Sequence, residues 1–146
     1  MILYLDTSAL VKRYLAESGS AMVNQWIADA AVVGTALISR AEMASALAKA
    51  ARMGALTPDE ALASLQAFRQ EWSDFIQVQI TQTVVARADS LAWDHNLRGY
   101  DAVQLAAALY WQESLHEPVT MATFDQRLWA AVKRVGLTAY PTFLPL

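Results

Sequence analysis

The 146-residue sequence has no cysteine, which excludes a disulfide framework and any thiolate metal site. It has two histidines, His95 and His116, each alone on a predicted helix and without ligand spacing, so an imidazole zinc site is excluded as well. No apolar run approaches the roughly 18 residues that suggest a membrane span. The first residues lack the basic start of a signal peptide and reach Asp6 almost at once. These features predict a cytoplasmic protein with no membrane partner. Positive charge is also in short supply: 11 Lys and Arg stand against 14 Asp and Glu, for a net charge of −3. Non-specific nucleic-acid coating, which is driven by phosphate neutralisation, is therefore disfavoured. Any nucleic-acid contact must be local or assisted by a metal cation, and a basic partner suits the acidic chain.

What the chain does have is apolar material, 55% of residues against 17% charged, with no low-complexity tract. That is enough to bury a core in a single domain spanning residues 1–146. Ile2 to Leu5 reads as a buried strand that ends in Asp6. Helices are predicted over Thr7–Ala16, with Thr7 or Ser8 as N-cap, and over Ser18–Ala30, followed by a strand over Ala31–Thr35. Ser39-Arg40-Ala41-Glu42 and Thr57-Pro58-Asp59-Glu60 both fit capping boxes, opening helices that end near Gly54 and Asp74. A strand over Phe75–Ile80 precedes a helix capped by Thr81 that runs to about Asn96. Asp101 opens a strongly apolar helix that runs to about Glu117. Strands over Pro118–Thr123 and Leu137–Tyr140 flank a last helix, Gln126–Gly136. Short β-branched strands alternating with longer helices predict a parallel sheet covered on both faces, with ligand sites at the carboxyl ends of the strands.

Asp6 ends a buried strand with a charge that is costly to leave unpaired. Glu42, Asp101 and Asp125 occupy similar junctions at the starts of helices. Taken singly, an acid at such a position is more often a helix cap than a ligand, and Glu42 is the most open to that explanation. The conjunction of four points to a cation, because like charges at close range repel. Oxygen donors without Cys or paired His select Mg²⁺ or Mn²⁺ over Zn²⁺.

Four stretches carry a family likeness. YLDTSALVKRYL, SRAEMASAL, LRGYDAVQLAAAL and ATFDQRL resemble the four acidic motifs of the PIN-domain ribonucleases, most closely VapC-type toxins of type II toxin–antitoxin systems, in order and spacing along nearly the whole chain. The resemblance implies a three-layer α/β/α sandwich with a short, mainly parallel central sheet, cleaving RNA with Mg²⁺ or Mn²⁺. Carried over by position, Asp6 and Asp101 are implied as primary metal ligands. Glu42 and Asp125 complete the catalytic quartet, as secondary or water-mediated ligands. Thr123 is implied as a supporting hydrogen-bonding residue, and Thr7 and Ser8 either share that role or are simple N-caps. A homodimer and a cognate antitoxin, contributing an arginine to the acidic pocket, are implied as partners.

Lys12, Arg13, Arg40 and Arg98 lie near the acidic motifs and are read as solvated surface charges that could also hold phosphate. The five tryptophans are expected mainly in the core or at interfaces. Tyr100, beside Asp101, is the aromatic best placed to meet RNA. Two rival readings differ in testable ways. A phosphatase with Asp6 as nucleophile calls for a second acid two residues on, where the chain has Ser8. A catalytically inactive module would dock RNA or protein without cleaving anything.

Overall fold

The computed structural model describes residues 1–145. Five strands, Ile2–Leu5 (β1), Val32–Ala36 (β2), Ile76–Val78 (β3), Val119–Ala122 (β4) and Thr138–Tyr140 (β5), form one sheet in the order β3-β2-β1-β4-β5. Every pairing is parallel. Ile2 lies opposite Val32 on one side of β1 and opposite Val119 on the other. The helices between them are Thr7–Leu10 (α1), Ser20–Asp29 (α2), Ser39–Arg52 (α3), Pro58–Glu71 (α4), Gln82–His95 (α5), Gly99–Leu115 (α6) and Gln126–Arg134 (α7).

Successive strand residues point to opposite faces, so β1 feeds two cores. Leu3 and Leu5 pack with Leu10, Met43, Leu47, Phe68 and Trp72, beneath the helices of the first half. Tyr4 turns the other way, into a cluster with Val84, Leu105, Leu109, Leu128 and Val132 from α5, α6 and α7. The result is the α/β/α sandwich expected from the alternation of strands and helices. The chain lays β2 and β3 to one side of β1, returns through α5 and α6, and places β4 and β5 on the other. The sheet's switch point therefore lies between β1 and β4, where Asp6 N–H donates to Ala122 O at 3.2 Å.

Several local expectations are corrected. The predicted helix Thr7–Ala16 is one α-turn followed by a 3₁₀ turn over Val11–Arg13, and its N-cap is Asp6, not Thr7 or Ser8. The capping box at Thr57 forms in full. The one at Ser39 does not, because α3 is entered from Ile38 in helical conformation and no side chain caps it. Ser39 is buried, its hydroxyl 2.7 Å from Thr35 Oγ1, so it is taken by the sheet rather than by its own helix. Asp101 is the third residue of α6, not its first. That helix stops at Leu115 because His116 adopts a left-handed conformation with φ 55°. Trp93 lies outside the core, 88% exposed on α5, which leaves only the interface half of its expectation open.

Candidate functional site

Asp6 sits at the carboxyl end of the central strand, 3% exposed, beneath a set of donors. Thr123 Oγ1 donates to its Oδ2 at 2.6 Å, Ser8 Oγ to Oδ1 at 2.7 Å and Ala9 N–H to Oδ1 at 2.9 Å. The two hydroxyls are themselves oriented, since Ser8 Oγ accepts from Phe124 N–H and Thr123 Oγ1 from Asp125 N–H. Burial pushes the Asp6 carboxyl up to about 7; the Thr123, Ser8 and Ala9 donors oppose the rise, and the neighbouring Asp101 charge adds to it.

Glu42 lies one turn into α3 and belongs to a second network. Its Oε1 accepts from Thr7 Oγ1 at 3.0 Å and from Gln104 Nε2 at 2.7 Å. Thr7 follows Asp6 directly, so this contact ties the strand end to α3.

Asp101 and Asp125 meet through one guanidinium. Arg98 Nε donates to Asp101 Oδ2 at 3.1 Å and Arg98 Nη2 to Asp125 Oδ2 at 2.9 Å. Asp125 also caps α7 by accepting from Leu128 N–H at 2.9 Å. Burial and then the Asp125 charge raise the Asp101 carboxyl above its usual range, while Arg98 and Arg127 pull it back. Arg98 and Asp101 line both a cleft of about 770 Å³, shared with Glu42 and Tyr100, and one of about 530 Å³, shared with Asp125. These acids are thus open to a ligand of some size.

The donor set suits a hard divalent cation. It consists of carboxylate and hydroxyl oxygens, burial and like charge raise two of its acids, and its outer pair already accepts a cationic group. Among the described residues, no three acidic or imidazole side chains converge into a cage. Mg²⁺ does not call for one, as it keeps several waters and takes one or two carboxylates plus substrate phosphate.

Of the seven residues singled out from sequence, Asp6, Ser8 and Thr123 form one bonded cluster and Thr7 and Glu42 a second. Asp101 and Asp125 form a third around Arg98. Lys12 and Arg13 are engaged by Glu17 and Glu71, and Arg40 lies over the Trp72 ring. Tyr100 is 68% exposed on the rim of the larger cleft. Sequence reasoning missed Tyr4 and Gln104. The available signal was the one polar residue in the apolar stretch AVQLAAAL, a side chain that must be paired once α6 is buried.

Residues 3–135 match the PIN domain family. The chain is 34% identical over 145 residues to two proteins named Ribonuclease VapC45 and Ribonuclease VapC49, from the CDC 1551 and H37Rv strains of Mycobacterium tuberculosis. The match covers 98% of this chain and 97% of each of them. Among solved structures, a toxin–antitoxin complex from Klebsiella pneumoniae has a chain that superposes with a TM-score of 0.68 at 19% identity. That superposition covers 98% of this chain and 99% of the other.

Proposed function

This chain belongs to the PIN domain family, and from that premise we propose that it is a metal-dependent endoribonuclease, the toxin of a toxin–antitoxin pair. The observation that carries the reading is the buried Asp6 beside Asp101 at the carboxyl edge of the sheet. Burial and like charge raise both carboxyls, and Asp101 lines the two open clefts above the buried Asp6. The near full-length likeness to two named ribonucleases supports RNA as the substrate.

In this reading Asp6 and Asp101 hold Mg²⁺ or Mn²⁺, with Glu42 and Asp125 contributing through water. When bound, the cation supplies an activated nucleophile at neutral pH and stabilises the leaving oxygen of the phosphodiester. Thr123 and Ser8 hold the Asp6 carboxylate in place, and Thr7 does the same for Glu42. Arg98 leaves the outer acid pair and meets the substrate phosphate as a bidentate donor. Glu42 and Asp125 accept hydrogen bonds from the attacking water.

An antitoxin partner fits the same chemistry, since Asp101 and Asp125 already accept one guanidinium between them. A homodimer is supported by apolar side chains left exposed on α5, Val85 and Trp93. No helix among the described residues is long and apolar enough to cross a membrane, in keeping with action on RNA in the cytoplasm.

The test is cleavage of total RNA by purified protein in Mg²⁺, in Mn²⁺ and in excess chelator, alongside Asp101→Asn. Wild type should cut only with the divalent cation, and the folded variant should not cut. Chelator-resistant cleavage, or full activity of Asp101→Asn, would overturn the proposal.

A further inference from the structure

Gln104 lies in the middle of α6, 2% exposed, among Leu105, Ala106, Ala107 and Ala108, all of them buried. An apolar side chain of equal volume would fill this space, so packing by itself does not call for an amide. Both ends of the amide are used. Its Oε1 accepts from the buried Tyr4 hydroxyl at 2.5 Å. Its Nε2 donates to Glu42 Oε1 at 2.7 Å and to Ser39 Oγ at 3.0 Å. A flipped amide would set two acceptor oxygens against each other at Glu42, so the carboxylate decides the orientation.

The bonds run in one direction. Gln104 donates to Ser39, the Ser39 hydroxyl pairs with Thr35 at 2.7 Å, and Thr35 donates to Leu5 O at 2.7 Å, one residue before Asp6. Tyr4, fully buried, has its hydroxyl turned onto the Gln104 amide oxygen. Thr7 and Gln104 converge on the same oxygen of Glu42. Its Oε2 accepts no hydrogen bond among the described residues, and Glu42 lines the larger cleft.

We propose that Gln104, held by Tyr4, is a positioning residue for the RNA cleavage proposed above: it fixes Glu42 through Oε1 and leaves Oε2 to serve the reaction. The inference rests on that reading of the site. A buried polar network with every member paired rigidifies the group at its end. Here that group is the one acid of the four with no cap to make and no arginine to hold it.

The test is a double-mutant cycle on the full chain, pairing Gln104→Met with Glu42→Ala and reading both RNA cleavage and Mn²⁺ affinity by calorimetry. Outer-shell partners of this kind typically matter about 10- to 100-fold. Gln104→Met should therefore lower kcat by about that factor, with KM for RNA within about twofold. With Glu42 already removed, it should cause no further loss of Mn²⁺ affinity. Tyr4→Phe removes only the hydroxyl behind the amide. It serves as the second variant if Gln104→Met fails to fold, and should lower kcat in the same direction by a smaller factor. A wild-type kcat in the folded variants, or an equal loss of Mn²⁺ affinity with and without Glu42, overturns the role of Gln104 and leaves the nuclease reading intact. A wild-type chain that cuts no RNA overturns both.

Discussion

Replacing Asp6 by Asn keeps its shape and removes its charge, at a position where burial makes ionisation costly. The folded carboxyl titrates near 7, while in the unfolded chain it returns to about 3.9. The folded state therefore binds more protons than the unfolded state across that interval, and stability falls as pH rises through it. The favourable contribution is complete below about pH 4 and fully lost above about pH 7, a total of about 4 kcal/mol from a shift of about three units. Between about pH 5 and pH 8 the loss amounts to about 2–3 kcal/mol in wild type and to nothing from this position in Asp6→Asn. The amide has its own mismatch, because its NH₂ must face hydroxyls that now donate to a carboxylate. That penalty is the same at every pH and cancels when the two pH values are compared. Urea melts of both proteins in chelator should show the variant gaining about 2–3 kcal/mol on wild type from pH 5 to pH 8. In several mM Mn²⁺ the gain should shrink, since a cation bound by the ionised wild-type carboxylate stabilises the folded chain by mass action. A variant that is less stable by the same margin at both pH values would show that Asp6 acts as the N-cap of α1 and nothing more.

Two further outcomes follow from the geometry. Gly34 in β2 faces Trp111, and a Cβ added there would lie 2.7 Å from Cη2 and 2.8 Å from Cζ3 of the indole. Gly34→Ala should therefore lose about 1–3 kcal/mol in urea unfolding, and an unchanged midpoint would mean that the ring has room to move. Arg98 holds the outer acid pair, so Arg98→Ala should tighten Mn²⁺ binding in calorimetry without RNA, by removing a competitor for Asp101 and Asp125. Unchanged or weaker affinity would show that the guanidinium does not compete with the cation.

The order of elements, the parallel sheet and its two apolar faces were legible in the sequence. They depend on periodicity and local turn chemistry: the Thr57 capping box and the Thr81 cap form where the residues call for them. The four acids stood out because each occupies a junction between elements, and Asp6 because a charge at the end of a buried strand calls for an explanation. Element ends were less legible. The 3₁₀ turn at Val11 and the stop at Leu115 are settled by what the chain meets next, which a local pattern does not encode.

Side-chain allegiance was decided by the tertiary structure alone. Ser39 and Glu42 have the spacing of a capping box, yet Ser39 is claimed by Thr35 and Glu42 by Thr7 and Gln104, residues 35 and 62 positions away from it. Asp6 caps a helix and also lies beneath Thr123, 117 positions further on. Periodicity reports which face of an element is buried, because the apolar stripe is built from neighbours in sequence. Which polar groups then meet within that burial depends on strand order and register. The return of the chain across β1 to form β4 placed Thr123 over Asp6, and the packing of α6 on the sheet set Gln104 between Tyr4 and Glu42. In a dry interior each of these groups must take whatever partner the fold brings within reach, and the fold brought partners from opposite ends of the chain.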